Sequence, residues 1–349
     1  MNTGKLKRLN VAQAAMKLRA YIALAVLLIF FSLNSPNFLT ITSLVTMVRH
    51  ISLNAIIAIG ATFVILTGGI DLSIGAIIGF TGMIAGGFIH QGIRLDFLGV
   101  TIYPWVPVIL IICVIIGVLI GWVNGVLVSK FNVTAFIATL GTMYIFRGFA
   151  LLRSNGTTFP NLQGKPELRN TGFPLLGQGT FLGIPYSILI MILLVIITAY
   201  IAKKTPFGRH VYAVGGNENA ARLSGIQVKK VKTIVFMICG GCAAMVGLII
   251  SSELVASHPA TGESYEMNAI AATVLGGTSL AGGRGSIGGA VLGAFVIGVL
   301  NDGMVMMGIS SFWQTVIRGI VIILAVILDQ LQNRGPGRSN VKKAVNAKQ

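Results

Sequence analysis

Ten stretches of almost uninterrupted apolar residues divide this chain, and nothing else in the sequence restricts its fold as strongly. They run roughly over 20–34, 46–67, 73–90, 105–128, 133–153, 185–202, 232–252, 265–280, 287–306 and 312–330. A helix crosses a bilayer with about 20 apolar residues. The pattern therefore predicts an all-α membrane protein, a polytopic bundle of about ten transmembrane helices. The third and eighth stretches are short and Gly-rich, which fits broken or re-entrant segments surrounded by protein or a water-filled path. Charged residues make up only 10% of the chain. Soluble domains carry about 25%, so water cannot cover this surface and lipid must.

Charge placement orients the bundle. The formal net charge of +17 does not point to nucleic acid, because the Lys and Arg residues sit in short connections rather than in a basic, aromatic-interleaved surface. With the N-terminus inside, the inner segments hold Lys5, Lys7, Arg8, Lys17, Arg19 and Lys130. They also hold Lys203, Lys204, Arg209, Arg222, Lys229, Lys230, Lys232, Arg284 and the tail from Arg334 to Lys348. Most acids fall outside. This bias predicts an even number of crossings with both termini cytoplasmic. Residues 1–19 form a basic cytoplasmic N-terminus with no small-residue cleavage site after its apolar run. Residues 20–330 form one membrane domain, and 331–349 read as a disordered basic tail drawn to anionic lipid.

Glycine spacing supports close helix packing. Gly117, Gly121 and Gly125 recur every four residues, as do Gly75 and Gly79, and Ala290, Ala294 and Gly298. Small residues at that spacing let helix backbones approach in lipid. Ser73-Ile74-Gly75 is echoed by Ser286-Ile287-Gly288, a trace of internal duplication. Cys239 and Cys242 form a CxxC inside an apolar run, with no second Cys pair or His cluster, and read as small packing residues.

The inner connection 203–232 is the longest on its side. Asn217 suits a helix N-cap, Glu218 the first turn and Gly225 the C-terminal stop, with Ala220, Ala221 and Arg222 between them. That reading gives a short capped helix at the membrane face, able to plug into a partner, with a solvated basic loop as the plain alternative.

Buried polar residues each carry two readings. Asp71 and Ser73 either cap the third helix or form a gate. Thr134, Thr139 and Thr142 either line a pathway or bond their own backbone. Asn54, Asn124 and Asn301 act as pathway residues or as glue between helices. Arg147 and Arg318 snorkel, gate, or pair with Glu253, Glu263 or Asp302. The outer segment 153–184, with Pro160, Pro166 and Pro174, is either a landing surface or a passive loop.

Several segments resemble one family in order along the chain. These are Ser35-Pro36-Asn37-Phe38, Ile65-Leu66-Thr67-Gly68-Gly69-Ile70-Asp71-Leu72-Ser73, Ala135-Phe136-Ile137-Ala138-Thr139-Leu140 and Gly215-Gly216-Asn217-Glu218-Asn219-Ala220-Ala221-Arg222-Leu223-Ser224-Gly225-Ile226. Tyr265-Glu266-Met267-Asn268-Ala269-Ile270-Ala271-Ala272 and Val274–Gly285 follow. Together they resemble the permease subunits of ribose-type ABC sugar importers, although Asn268 stands where that family often has an acid. The resemblance implies an inner-membrane homodimer, a separate ATPase below it and a periplasmic sugar-binding protein that delivers a monosaccharide. It also implies that 203–232 is the ATPase-coupling loop. No Gly-x-x-x-x-Gly-Lys-Ser/Thr segment occurs, so nucleotide hydrolysis is expected on a partner and no cofactor or enzyme activity on this chain. A secondary transporter driven by an ion gradient is the alternative, and it is disfavoured by the lack of acids clearly at mid-span.

Overall fold

The computed structural model describes residues 19–96 and 99–333. The expected N-terminal segment before Arg19 and the tail beyond Asn333 lie outside the described residues. Among the described residues thirteen α-helices carry the fold. In chain order they are α1 Arg19–Asn34, α2 Ile41–Leu66, α3 Ile74–His90, α4 Val106–Ser129, α5 Ala135–Leu152, α6 Leu175–Gln178 and α7 Tyr186–Lys204. After these come α8 Pro206–Gly216, α9 Glu218–Leu223, α10 Val228–Glu253, α11 Tyr265–Leu275, α12 Ile287–Met306 and α13 Ser311–Asn333. Two small antiparallel hairpins, β1–β2 (Ile93–Leu95, Val100–Ile102) and β3–β4 (Thr180–Phe181, Ile184–Pro185), lie in the connections.

The chain is an all-α membrane protein. Six helices (α2, α4, α5, α7, α10 and α12) are long and apolar enough to cross a bilayer. Shorter apolar helices cover Ala20–Asn34, Ile74–His90 and Ser311–Leu324. The eighth expected stretch departs most: α11 has 11 residues, about 16 Å of helix at 1.5 Å per residue. It cannot cross the roughly 30 Å hydrocarbon core alone.

Local chemistry sets the helix ends. Thr40 accepts the Ser43 N–H at the start of α2, and Ser286 accepts the Gly289 N–H at the start of α12. Pro107 and Pro206 occupy first-turn positions of α4 and α8, where a missing N–H costs nothing. Ser73 and Ser286, the echoed serines, both stand at N-cap positions, although only Ser286 makes the side-chain bond.

α2 and α10 form the middle of the bundle, buried along 83% and 72% of their apolar windows, against 22% for α5 and α7. The latter turn Phe136, Ile137, Tyr144, Leu193 and Ile196 outward, as lipid-facing helices do. The predicted glycine stripe lies at the closest helix contact. A Cβ at Gly117 would meet the Gly240 carbonyl, one at Gly121 the Phe236 carbonyl, and one at Gly125 the Thr233 backbone. Cys239 and Cys242 are free, buried and packed against Gly60 of α2, so the CxxC is a small-residue contact.

The segment 153–184 packs onto the bundle. Phe159, Leu162 and Phe173 are buried. Asn170 Nδ2 donates to the Ile89 carbonyl at 3.1 Å, and Ser252 Oγ donates to the Phe173 carbonyl at 2.6 Å.

Candidate functional site

Two interrupted helix pairs define the interior. After α2 the chain runs without helix from Thr67 to Ser73 before α3 starts, and after α10 it does so from Leu254 to Ser264 before α11 starts. The first interruption begins at Gly68, whose φ of +79° no side chain adopts readily. The second holds Val255 at φ +50° and Ser264 at φ +67°. For a β-branched residue such as Val255 this conformation costs on the order of 1–3 kcal/mol, the kind of strain found at functional segments. The N-termini of α3 and α11 meet: Gly75 faces the Gly262 carbonyl and the Glu266 carboxylate, and Gly79 faces the carbonyls of Pro259 and Thr261. Half-helices whose N-termini converge inside a bundle are a recurrent way to build a binding point in transporters.

A buried polar chain knits the first interruption to its neighbours. Asp71 Oδ1 accepts the Ser73 N–H at 2.9 Å and the Ser73 hydroxyl at 2.6 Å. Asn124 Nδ2 on α4 donates to Ser73 Oγ at 2.8 Å, and Thr142 Oγ on α5 donates to Asn124 Oδ1 at 2.7 Å. Thr139 accepts the Leu72 N–H at 3.1 Å while donating to its own Ala135 carbonyl. Asp71 holds Ser73 in a local turn before α3 without a side-chain cap bond to the helix, and Asn124 bridges helices. Thr139 does both things at once, bonding its own helix and the neighbouring segment. The structure thus brings Asp71, Ser73, Thr139 and Thr142 together, with Asn124 as the connecting residue.

The other candidates lie elsewhere. Asn54 is buried on α2, about 18 Å along the axis from Leu66, and its amide reaches only the His50 carbonyl, at 3.4 Å. Arg147 forms no ion pair with an acid among the described residues. Its Nη1 donates to the carbonyls of Pro259 at 2.5 Å and Thr261 at 3.0 Å, fastening α5 to the second interruption. Arg318 bonds its own helix, through the Gln314 carbonyl at 3.2 Å. Two of the three acids expected to pair with these arginines have other partners: Glu253 pairs with Arg49 at 3.5 Å, and Asp302 meets His50 at 3.2 Å. Arg49 and His50, adjacent on α2, were missed in the sequence. Their only signal was two ionisable residues inside an apolar run. Among the described residues no group of three or more His, Cys, Asp or Glu is placed to hold a metal ion.

The basic connection folds as two short helices. Thr205 caps α8, accepting the Gly208 N–H at 3.2 Å. Asn217 caps α9, accepting the Ala220 N–H at 3.0 Å. Gly225 closes α9 at φ +82°, and the Ile226 N–H returns to the Ala221 carbonyl at 3.1 Å in a Schellman turn. Glu218 and Lys232 join α9 to α10 at 2.6 Å. Ala220, Arg222, Leu223 and Ser224 face outward, while Ala221 is buried. Leu223 is 88% exposed, an uncovered apolar tip on a polar helix. Asn217→Ala should cost the helix roughly 0.5–2 kcal/mol. Hydrogen exchange of the 218–224 amides should accelerate severalfold, with Asn217→Gly showing less of the effect.

α8 also touches the end of α2, where the first interruption starts, and the loop 276–286 after α11. A Cβ on Gly215 would overlap the Leu66 carbonyl at the end of α2 and crowd the Gly283 N–H. The Gly283 N–H itself donates to that Leu66 carbonyl at 2.9 Å. The Tyr212 hydroxyl donates to the Gly285 carbonyl at 3.0 Å, and burial pushes its pKa above the usual phenol value, so it remains a donor. The loop 276–286, the end of α2 and the α8–α9 pair therefore meet at one backbone junction.

The chain matches the family model described as branched-chain amino acid transport system / permease component over residues 43–326. It is similar to the ribose import permease protein RbsC of Bacillus subtilis (43% identical, covering 93% of this chain and 96% of that one). Similarity extends to the RbsC of Escherichia coli K12 (42% identical, 90% and 94% covered) and to that organism's xylose transport system permease protein XylH (34% identical, 94% of each covered). No solved structure matches.

Proposed function

The chain belongs to the branched-chain amino acid transport system / permease component family, as a multi-pass inner-membrane permease of the ribose type rather than an enzyme, and from that premise we propose that it carries a monosaccharide into the cell as the membrane subunit of an ABC importer. The single observation that carries the reading is likeness to the ribose permeases along nearly the full length of both chains. The capped helix α9, exposed beside the Leu66–Gly215–Gly283 junction, supports ATPase docking at this face. The lysine-rich placement supports ten crossings with both termini cytoplasmic, α3 and α11 being the interrupted ones. A pentose is the favoured cargo, because both groups of relatives are named for pentoses.

ATP binding on the partner closes its cleft on α9, and α8 passes the movement to α2 and to the 276–286 loop. The α3 and α11 N-termini and the Asp71–Ser73–Asn124–Thr142 chain then rearrange between two packings that expose opposite sides. Hydroxyls and amides suit a sugar, which passes by exchanging hydrogen bonds.

Uptake of labelled ribose and xylose into vesicles containing this chain, its ATPase and its binding protein tests the proposal. Accumulation should require ATP and survive collapse of proton and sodium gradients. Ion-gradient transport, the alternative, has one fully buried carboxylate to draw on among the described residues: Asp71, already bonded to Ser73. Gradient-driven uptake without ATPase would overturn the importer reading.

A further inference from the structure

A cavity of about 770 Å³ opens between the end of α4 and the start of α10, beneath α9. It begins just past the last glycine of the α4–α10 stripe, where Ser129 and Thr233 still touch at 3.0 Å. Its walls are of two kinds. Trp122, Val126, Ile234 and Met237 give an apolar side, and Lys130, Arg222, Lys229 and Lys230 give a cationic rim. The one acid in the lining, Glu218, is held by Lys232 at 2.6 Å. Among the described residues none of Lys130, Lys229 and Lys230 pairs with a carboxylate.

So many like charges around one cavity repel one another unless an anion is present. Residues 1–18 and 334–349 contain basic residues and no Asp or Glu, so their side chains do not supply that anion. A second copy would bring the same positive surface. The apolar side is continuous with the outer face of α4, where Ile111, Ile115, Leu119 and Trp122 are exposed at helical spacing. An occupant must therefore be anionic at one end and apolar along the other.

We propose that this cavity is a binding site for an anionic phospholipid, with the headgroup phosphate among Lys130, Lys229 and Lys230 and an acyl chain along α4 past Trp122. Basic pockets between helices at the inner leaflet recognise such headgroups. The site adjoins both the α9 cap and the Glu218–Lys232 pair, so the bound lipid braces the start of α10 against α9. It is independent of the transported solute.

The chain has three tryptophans, so Trp105→Phe with Trp313→Phe leaves Trp122 as the reporter. The full chain is placed in phosphatidylcholine nanodiscs. These are doped, at equal minor fractions, with brominated phosphatidylglycerol or brominated phosphatidylcholine. Trp122 should see the anionic lipid enriched about fivefold or more, at about 1 kcal/mol per lysine engaged. Lys130→Gln with Lys229→Gln and Lys230→Gln should remove the preference and leave quenching by the zwitterionic lipid unchanged, which also reports that the fold is intact. The three Arg substitutions should restore it. Equal quenching by both lipids would overturn the proposal. So would loss of the preference in millimolar inorganic phosphate, which would assign a free-anion site. Equal quenching together with ATPase binding that the glutamine variant loses would assign the lysines to the partner instead.

Discussion

Gly121→Leu is expected to prevent this chain from folding. A Cβ at Gly121 already overlaps the Phe236 carbonyl and approaches the Met237 Cα. These are backbone atoms of α10, which is fixed on its other side by α2 and α3 through Gly60 and Gly247. A leucine cannot be accommodated by a rotamer change, so α4 must separate from α10. That separation removes the contacts at Gly117 and Gly125 as well and exposes the buried Asn124 chain. Overpacking a tight core costs about 1–3 kcal/mol when neighbours can shift and more when they cannot, so this site should exceed about 3 kcal/mol. Size-exclusion profiles in mild detergent should show aggregate in place of a single peak. Gly141 lies on α5 with open space where a Cβ would be. Gly141→Ala should therefore purify like the parent and gain up to about 1 kcal/mol from helix propensity.

Gly215→Val is expected to leave the chain folded but to uncouple it. Its Cβ would overlap the Leu66 carbonyl, whose partner is the Gly283 N–H at 2.9 Å. Relief requires α8 to lift from the end of α2, breaking the point where α8 meets the end of α2 and the 276–286 loop. The effect is local, because α8 and α9 stand outside the α2–α10 centre. ATP-driven uptake should fall at least about tenfold, the equivalent of 1.4 kcal/mol in the coupling step, while ATPase hydrolysis continues and the subunits still copurify. Gly216→Ala beside it meets open space and should transport normally. Equal loss in both variants would mean that any change in α8 suffices and that the junction has no special role.

What the sequence made legible was local. Asn217 and Gly225 flank the six residues of α9, so propensity alone predicts the N-cap and the glycine stop. The glycine stripe was equally plain, since a four-residue period marks one helix face whatever packs on it. The helix boundaries followed from apolar runs except, most clearly, at three ends: α2 and α10 start at Ile41 and Val228, several residues before their runs, because polar residues continue the helix, and α11 stops at Leu275 while composition stays apolar, with Gly276 pressed against the Gly289 carbonyl in a contact made by tertiary packing. The gathering of Asp71, Ser73, Asn124 and Thr142 depends on how three helices cross, and no spacing encodes it. The contact of Arg147 with the second interruption was not legible because its acceptors are backbone carbonyls, which every residue offers and no sequence reveals. His50 and Asp302 stand 252 residues apart, so only the fold could join them.

The most direct test measures ATP hydrolysis and sugar uptake together in one preparation of vesicles, with the ATPase and the sugar-binding protein present. The parent chain is compared with an Asn217→Ala, Arg222→Ala variant of α9. The parent should hydrolyse ATP faster when sugar-loaded binding protein is added, and uptake should rise with hydrolysis. In the variant, the stimulation and the uptake should disappear together while the chain remains folded. Uptake that persists in the variant, proceeds without the ATPase and follows a proton or sodium gradient would contradict the account.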